Sequence, residues 1–521
     1  MRPFNLINWL RDNLLLLIIL TLALFVRLWG IDFGLPFSYH VDEPRFLHSA
    51  VSMLQNNSAD PGWFYQPSLY VYLVTLVIAG YYGFARITNQ FSSPADLFLS
   101  PYDFDGLITQ PVQFLLARLL TIFLALLTIW LVYKMAHSWM NKVGALAAAA
   151  FLSLSIFHVT SSHFITTDVP VAFFIMLTLY FCGRLVESGA IGDYLIVGVA
   201  IGLAAGTKYS AYVLVIPALL AHLVAWKHKK TSLINMGLIL MGATAVVTFL
   251  ITTPYILIRT EKVLADIEYE WVHHKVRGHI GSEGNSGPWL ITQLVTSSDR
   301  WLTALAIIGF FTALWRRNWP IILTFVFVLT YFASMASNLV RFERFLVPMI
   351  PALAIGTGYT FSVLYDWLIA HTSRLAAAVI SLLLGLLLLV NAFHSVIIFD
   401  NLLADTDVRT VAREWIKDNI PEGALIARER FSPNLDGLPY QTNWMPSLTD
   451  NKVDWYREAG YDYLIFAEAR YGRLWRDPQR YADLIKEYEA LWEQLELVSS
   501  FEGPYVGRPE YKILVYRVDR S

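Results

Sequence analysis

Apolar residues fill most of this chain in long runs separated by short polar breaks. A helix that crosses a bilayer needs about 20 predominantly apolar residues, and run after run up to Phe399 reaches or approaches that length. The pattern predicts membrane-spanning helices near residues 14–29, 113–133, 143–160, 169–185, 191–206, 209–226, 233–258, 301–315, 319–335, 345–370 and 375–399. The first run, Leu14 to Trp29, could pass for a signal peptide. No small-residue cleavage site follows it, so it is expected to stay as the first helix. From Asp400 the periodicity changes. VRTVAREWIKDNI reads as an amphipathic helix stopped by Pro421 and Gly423, and ALIAR as a short strand after it. YDYLIFA reads as a second strand, YADLIKEYEALWEQL as a helix and YKILVYRV as a terminal strand. The expected architecture is an α-helical polytopic membrane protein over 1–399, with about eleven transmembrane helices plus juxtamembrane helices. A small soluble α/β domain is expected over 400–521.

Short loops rich in Lys and Arg mark the cytoplasmic side. Arg2 and Arg11 precede the first run, and later basic breaks fall at Lys134 to Lys142, WKHKK (226–230), WRRNW (315–319) and the HTSR turn ending at Arg374. The intervening loops at 31–112, 259–300 and 337–344 are longer and mixed or acidic. With every basic loop inside, the N-terminus is cytoplasmic and the C-terminal domain lies outside. One further apolar run, Ser68 to Ala85, would turn every later basic loop outward if it crossed. It is therefore expected to be a juxtamembrane or re-entrant helix under the first outer loop.

Composition agrees with the pattern. Only 15% of the 521 residues are charged and 56% are hydrophobic, against about 25% charged in a soluble protein. A net charge of −2 removes any global basic field that would attract nucleic acid. The single cysteine, Cys182, has no partner within the chain for a disulfide. No nucleotide-binding glycine pattern and no long internal repeat is present.

Against this apolar background a few charges stand out. Asp42 and Glu43, in SYHVDEPRFLHSA, are adjacent carboxylates just outside the first run. Partial desolvation raises a carboxylate's proton affinity, which suits a general base, although an acid before RFLHSAVSML also serves as an ordinary helix cap. Asp168, in FITTDVP, stands at a helix start with Pro170 in the first turn, again compatible with capping. In the expected topology it shares a membrane face with Asp42. Lys208 in GLAAGTKYS and Arg341 and Arg344 in NLVRFERFLVPMIP interrupt apolar stretches at helix ends. Such cations either snorkel to lipid headgroups or clamp a phosphate. His273, His274 and His279 lack the spacing of a helical zinc pair, and Asp103-Phe104-Asp105 is too short a DxD to carry weight.

The order of these segments is more specific than any one of them. The acidic pair, YQPSLYVYL, FITTDVP, GLAAGTKYS, GHIGSEGNSGPWLITQL and RFERFLVPMIPAL follow one another along residues 10 to 400. This series resembles the lipid-carrier-dependent glycosyltransferases of the GT-C superfamily. Within it, the chain looks most like the family-39 protein O-mannosyltransferases, their bacterial relatives and the aminoarabinose transferases that modify lipid A. The resemblance implies inverting transfer of one sugar from a polyprenyl-phosphate donor to a lipid, glycan or protein acceptor at the outer face of a prokaryotic plasma membrane. It implies Asp42 as general base, Glu43 as an aid to orientation, Asp168 in the sugar pocket, and Lys208 with Arg341 or Arg344 on the donor phosphate. It implies neither a cofactor nor a metal. Relatives carry a Lys or His before Pro-Pro where this chain has Gln66-Pro67-Ser68. Gln66 is neutral, so His40, Arg45 or His48 is expected to supply the missing phosphate contact. Two rival readings share the helix count. One is an oligosaccharide transferase using a diphosphate carrier, distinguishable by metal dependence. The other is a transporter or lipid flippase, against which the absence of a repeat counts.

Overall fold

A computed structural model describes residues 6–101 and 106–519. Asp103 and Asp105 of the DxD, and Arg2, lie outside the described residues. The helices up to the first basic loop pair are α1 (Leu6–Leu28), α2 (Glu43–Gln55), α3 (Leu69–Ile87) and α4 (Pro111–Trp139). Next come α5 (Lys142–Ser153), α6 (Ile156–Ser162), α7 (Asp168–Ser188), α8 (Ile191–Thr207), α9 (Val215–Lys227) and α10 (Met236–Thr252). After them run α11 (Tyr255–Ile258), α12 (Thr260–Val272), α13 (Ser286–Thr296), α14 (Arg300–Arg316), α15 (Trp319–Ala336), α16 (Ile350–His371) and α17 (Arg374–Ala404). Among the described residues seven helices are long and apolar enough to cross a membrane, or eight if the bent pair α5–α6 counts as one span. α8 and α10 are apolar but shorter. The chain is a multi-pass membrane protein.

The expected single span at 143–160 is the bent pair, turning through 55° at Leu154-Ser155. Ser155 caps α6, and its hydroxyl donates to Asp299 Oδ2 at 2.5 Å, so the freed backbone at the bend is held by polar partners. Ser68–Ala85, expected to avoid crossing, forms α3. It is one unbroken 19-residue helix, apolar enough to span. No reversal interrupts it, which removes the re-entrant form of the expectation. α3 packs on α2 and α4 through Val71, Val74 and Ile78.

The bundle is held by small residues where helices cross. A Cβ added to Gly144 of α5 would lie 2.5 Å from the Gly358 carbonyl oxygen of α16, and one on Gly309 of α14 would lie 1.9 Å from that of Gly356. Lipid gives helices no hydrophobic drive to associate, so close backbone approach is what packs them.

Beyond α17 lie α18 (Val408–Asn419), β1 (Leu425–Glu429), β2 (Gln441–Met445), α19 (Val453–Glu458), β3 (Tyr463–Ala467), α20 (Glu468–Tyr471), α21 (Ala482–Glu493), β4 (Glu496–Tyr505) and β5 (Arg508–Arg517). The five strands form one sheet in the order β2-β1-β3-β5-β4. β1 pairs in parallel with β2 and β3, and β5 pairs antiparallel with β3 and β4. Alternate residues of the central strands enter two cores. Ile426 and Ile465 face α18, while Ala427, Leu464 and Phe466 face α19 and α21. The expected helices and three of the strands are present, and β2 and β4 are additional edge strands. The β4–β5 hairpin turns at Val506 and Gly507, both with positive φ. A Cβ at Gly507 would come within 2.4 Å of the Phe399 ring, so the hairpin tip sits directly on the end of α17.

Candidate active site

The chain leaves α1, folds back through residues 29–42 and enters α2 at Glu43, with Asp42 as the residue before the helix and Pro44 in its first turn. Glu43 has no exposed surface. Arg118 of α4 donates to both of its carboxylate oxygens, from Nε at 2.9 Å and Nη2 at 2.7 Å. The Ile165 N–H donates to Oε1 at 3.1 Å. Arg118 also donates to the carbonyls of Ile31 at 2.6 Å and Phe33 at 3.1 Å. This bidentate pair therefore ties α2, α4, the loop before α7 and the loop after α1 together. The Glu43 carboxylate is thus wholly engaged inside the protein.

Asp42, one residue earlier, is accessible. Arg344 Nη1 donates to its Oδ2 at 2.5 Å, with the two side chains 42% and 31% exposed. Arg344 comes from a 3-10 turn, Glu343–Met349, that leads into α16 and packs on α6 and α7. The Asp42 N–H donates to His40 Nδ1 at 3.3 Å, and the imidazole stacks on Phe164 with centroids 4.2 Å apart. Burial pushes the His40 pKa down, more strongly than Glu43 and Asp42 raise it. In that hydrogen bond the imidazole Nδ1 is the acceptor. For Asp42 the sequence argument is reversed. Burial raises its carboxyl, but Arg344, then His40, and Arg45 more weakly, together hold it below the ordinary carboxylate range. At neutral pH it is an ionised carboxylate clamped by a guanidinium.

A second acid–cation pair stands nearby. Lys208, in extended backbone at the end of α8, donates from Nζ to Asp168 Oδ1 at 2.5 Å, and Asp168 is almost fully buried at the start of α7. Asp42, Asp168 and Glu270 all lie within electrostatic reach of Arg344. The buried Tyr331 hydroxyl is within reach of Asp168 and of the Ser210 side chain. Five sequence candidates thus converge: His40, Asp42, Asp168, Lys208 and Arg344, with Arg45 beside them over the Trp63 and Tyr65 rings.

Other candidates fall elsewhere. The Arg341 N–H donates to the Ser282 carbonyl at 2.8 Å, and its guanidinium fills the space above Gly284. No carboxylate among the described residues pairs with it. The Gln66 Oε1 is buried without a hydrogen-bond partner among the described residues, and no contact links it to the two ion pairs. His48 Nδ1 meets the Ser100 carbonyl at 2.8 Å. The His273 ring stands edge-on to those of His274 and His279, and His279 Nε2 lies 2.7 Å from Arg473 Nη1 of the C-terminal domain. Among the described residues no three His, Cys, Asp or Glu side chains stand close enough to hold a metal.

Sequence reasoning missed Arg118, although a lone charge inside an apolar run is itself a signal. It also missed the seat of the C-terminal domain. The Arg409 guanidinium stacks over Tyr39 at 3.7 Å and Tyr505 at 4.1 Å while pairing with Asp407. Tyr39 hydroxyl and Thr410 Oγ1 are 2.9 Å apart. The domain therefore grips the chain three residues before Asp42.

Residues 110–256 match the family described as dolichyl-phosphate-mannose-protein mannosyltransferase. Among curated proteins none matches the chain by sequence. Solved structures with a similar fold include ArnT from Cupriavidus metallidurans in the apo state, at 14% identity over 97% of this chain and 98% of that one, TM-score 0.54. The same protein bound to undecaprenyl phosphate matches at 15% identity over 96% and 98%, TM-score 0.51. The archaeal oligosaccharyltransferase AglB from Archaeoglobus fulgidus, in complex with an inhibitory peptide and a dolichol-phosphate, matches at 11% identity over 88% of this chain and 70% of that one, TM-score 0.50. At such identities the likeness carries the fold. The fold along the chain and the family signature over residues 110–256 together mark a membrane glycosyltransferase similar to those of the GT-C superfamily.

Proposed function

We propose that this protein moves a single sugar, with inversion, from a polyprenyl-phosphate donor to a hydroxyl-bearing acceptor at the outer face of the membrane. The observation that carries this reading is the meeting of two carboxylates and two cations, Asp42–Arg344 and Asp168–Lys208, at the end of the bundle where α2 and α7 begin. Two of the similar structures contain undecaprenyl phosphate and dolichol-phosphate, which supports a phosphate-bearing lipid as the natural occupant.

The resting ion pair gives the reaction its order. The donor phosphate competes with Asp42 for Arg344, whose planar fork suits two phosphate oxygens. As the phosphate takes the guanidinium and Asp42 moves away from it, Asp42 loses the charge that depressed its proton affinity and becomes a better base. Asp42 then takes the proton of the acceptor hydroxyl. The acceptor oxygen attacks the anomeric carbon from the face opposite the phosphate, and the bond to the phosphate oxygen breaks with its electron pair leaving on the carrier. Arg344 and Lys208 stabilise that departing charge, a preorganised electrostatic role that removal of one donor typically weakens by about 10²–10³ in rate. Asp168 holds Lys208 in place and lines the sugar pocket.

The test uses purified protein in nanodiscs with a panel of polyprenyl-phosphate sugars, with and without chelator. Turnover by the wild type that resists chelator and disappears in Asp42→Asn with donor binding intact supports the assignment. Equal behaviour of the two proteins, with no donor bound, overturns it and makes a transport assay the next step.

A further inference from the structure

The catalytic reading uses only one end of α7. The helix has 21 residues, about 31 Å at 1.5 Å each, so its far end stands roughly one hydrocarbon thickness away from Asp168. There the ends of α4, α7 and α9 and the link from α14 to α15 frame an open cleft of about 510 Å³. Its lining includes Trp139, Glu187, His228, Lys230, Arg317 and Trp319. Nothing in the proposed reaction draws on it.

We propose that this cleft binds the phosphate headgroup of an anionic phospholipid from the leaflet opposite the catalytic site. Lys230 and Arg317 bring two full positive charges against the single carboxylate of Glu187. No carboxylate among the described residues pairs with either cation. Arg317 also precedes α15, an 18-residue helix whose amino end begins at Asn318-Trp319, so the helix dipole adds to the attraction for an anion. The remaining wall includes the indoles of Trp139 and Trp319, and Trp at the membrane–water boundary presents an apolar face to lipid and a polar edge to headgroups.

The cleft is built rather than incidental. Gly183 gives the Trp139 ring its seat, because a Cβ there would come within 2.7 Å of it. Asn318 Nδ2 donates to the Trp139 carbonyl at 3.3 Å, joining the two helix ends that form the walls. The His228 ring stands edge-on to Trp319 with centroids 6.3 Å apart. Gly189, in the left-handed region at φ +61°, lies under the Lys230 backbone, where any side chain would meet the carbonyl at 2.6 Å. A mixture of two cations, one acid and two indoles suits a phosphodiester with its glycerol and first acyl carbons better than a bare inorganic ion.

The experiment follows lipid binding, not turnover. Full-length protein in detergent is titrated with phosphatidylglycerol, phosphatidylcholine or inorganic phosphate, and bound adducts are counted by native mass spectrometry. The comparison is with Lys230→Gln/Arg317→Gln. Each basic residue near an anionic surface contributes about 1 kcal/mol, so the double variant should hold phosphatidylglycerol about thirtyfold more weakly, with phosphatidylcholine unaffected. Single variants that each lose part of that affinity, with unchanged elution on size exclusion, supply the folding control. If the double variant binds phosphatidylglycerol as the wild type does, the site is wrong. If inorganic phosphate binds as tightly as phosphatidylglycerol and displaces it, the ligand is a free phosphate and the lipid assignment falls.

Discussion

Replacing Glu43 by Gln separates scaffolding from chemistry at the acidic pair. The wild-type carboxylate is fully buried and receives three donors, two from Arg118 and one from the Ile165 amide. A Gln side chain keeps one acceptor oxygen and turns a donor toward Arg118. It leaves the guanidinium charged and buried without a counter-charge, with the Gln oxygen and the Ile31 and Phe33 carbonyls as its acceptors. Breaking a buried pair from one side costs about 3–5 kcal/mol. Because 1.4 kcal/mol is tenfold in an equilibrium, local opening around α2 and residues 160–168 should become more frequent by at least about a hundredfold. Hydrogen–deuterium exchange in nanodiscs, read on peptides covering α2 and Ile165, measures this directly. The companion variant Glu43→Gln/Arg118→Met removes both charges, and replacing a buried pair by apolar groups is often near neutral. Exchange should return toward wild type in the double variant, and sugar transfer should recover with it. A double variant that is well protected yet inactive would mean that Glu43 meets substrate, and the positioning role would have to be abandoned. Unchanged exchange in Glu43→Gln alone would sink the energetic argument as well.

Arg344→Gln removes the charge that holds the Asp42 carboxyl below its ordinary value, so that pKa must rise. The acid limb of kcat/KM against pH should move to higher pH, with the rate lower by about 10²–10³; an unmoved limb would show that Arg344 does not set the base. Lys208→Met leaves Asp168 buried and unpaired, and donor affinity should fall at least about tenfold. Asp168→Asn added to it should restore folding but not donor binding, checked by thermal unfolding and by binding of a polyprenyl phosphate. Arg409→Gln removes the cation between Tyr39 and Tyr505, a contact worth about 0.5–2 kcal/mol. Limited proteolysis should then cut faster between α17 and α18, and transfer should weaken in step. Faster cutting with full activity would detach the domain's seat from the site.

Much of this was readable before any coordinates. The apolar runs located most of the membrane helices because burial in lipid is a local property of composition, but Ser68–Ala85, expected not to cross, forms a helix long and apolar enough to do so. The two central strands that carry Ile426 and Ile465 were visible because both of their faces are apolar. β2, written QTNWM, was not. It is an edge strand of mostly exposed residues and has no apolar alternation to betray it. At the site, the order of motifs brought Asp42 and Arg344 together as candidates across 302 positions, something no periodicity conveys. What the residues could not convey was which member of Asp42-Glu43 stays accessible. That depends on Arg118, a partner 75 positions away. The direction of the Asp42 shift was lost for the same kind of reason. Desolvation is guessed from context, whereas a guanidinium at 2.5 Å is seen only in three dimensions.

The glycine contacts among α5, α14 and α16 have a consequence for how substrates gain access. Where backbone carbonyls touch the neighbouring helix, there are no side chains to change rotamer and no slack for sliding, so these three helices move as one spindle. Arg344 is mounted on the turn that leads directly into α16, and is therefore fixed to the least compliant part of the molecule. Asp42 hangs from a loop held by α2 and by the C-terminal domain. Opening the ion pair is then a motion of the acid away from a stationary cation. The phosphate arrives at a docked target, and it is the acceptor side of the site that gives way.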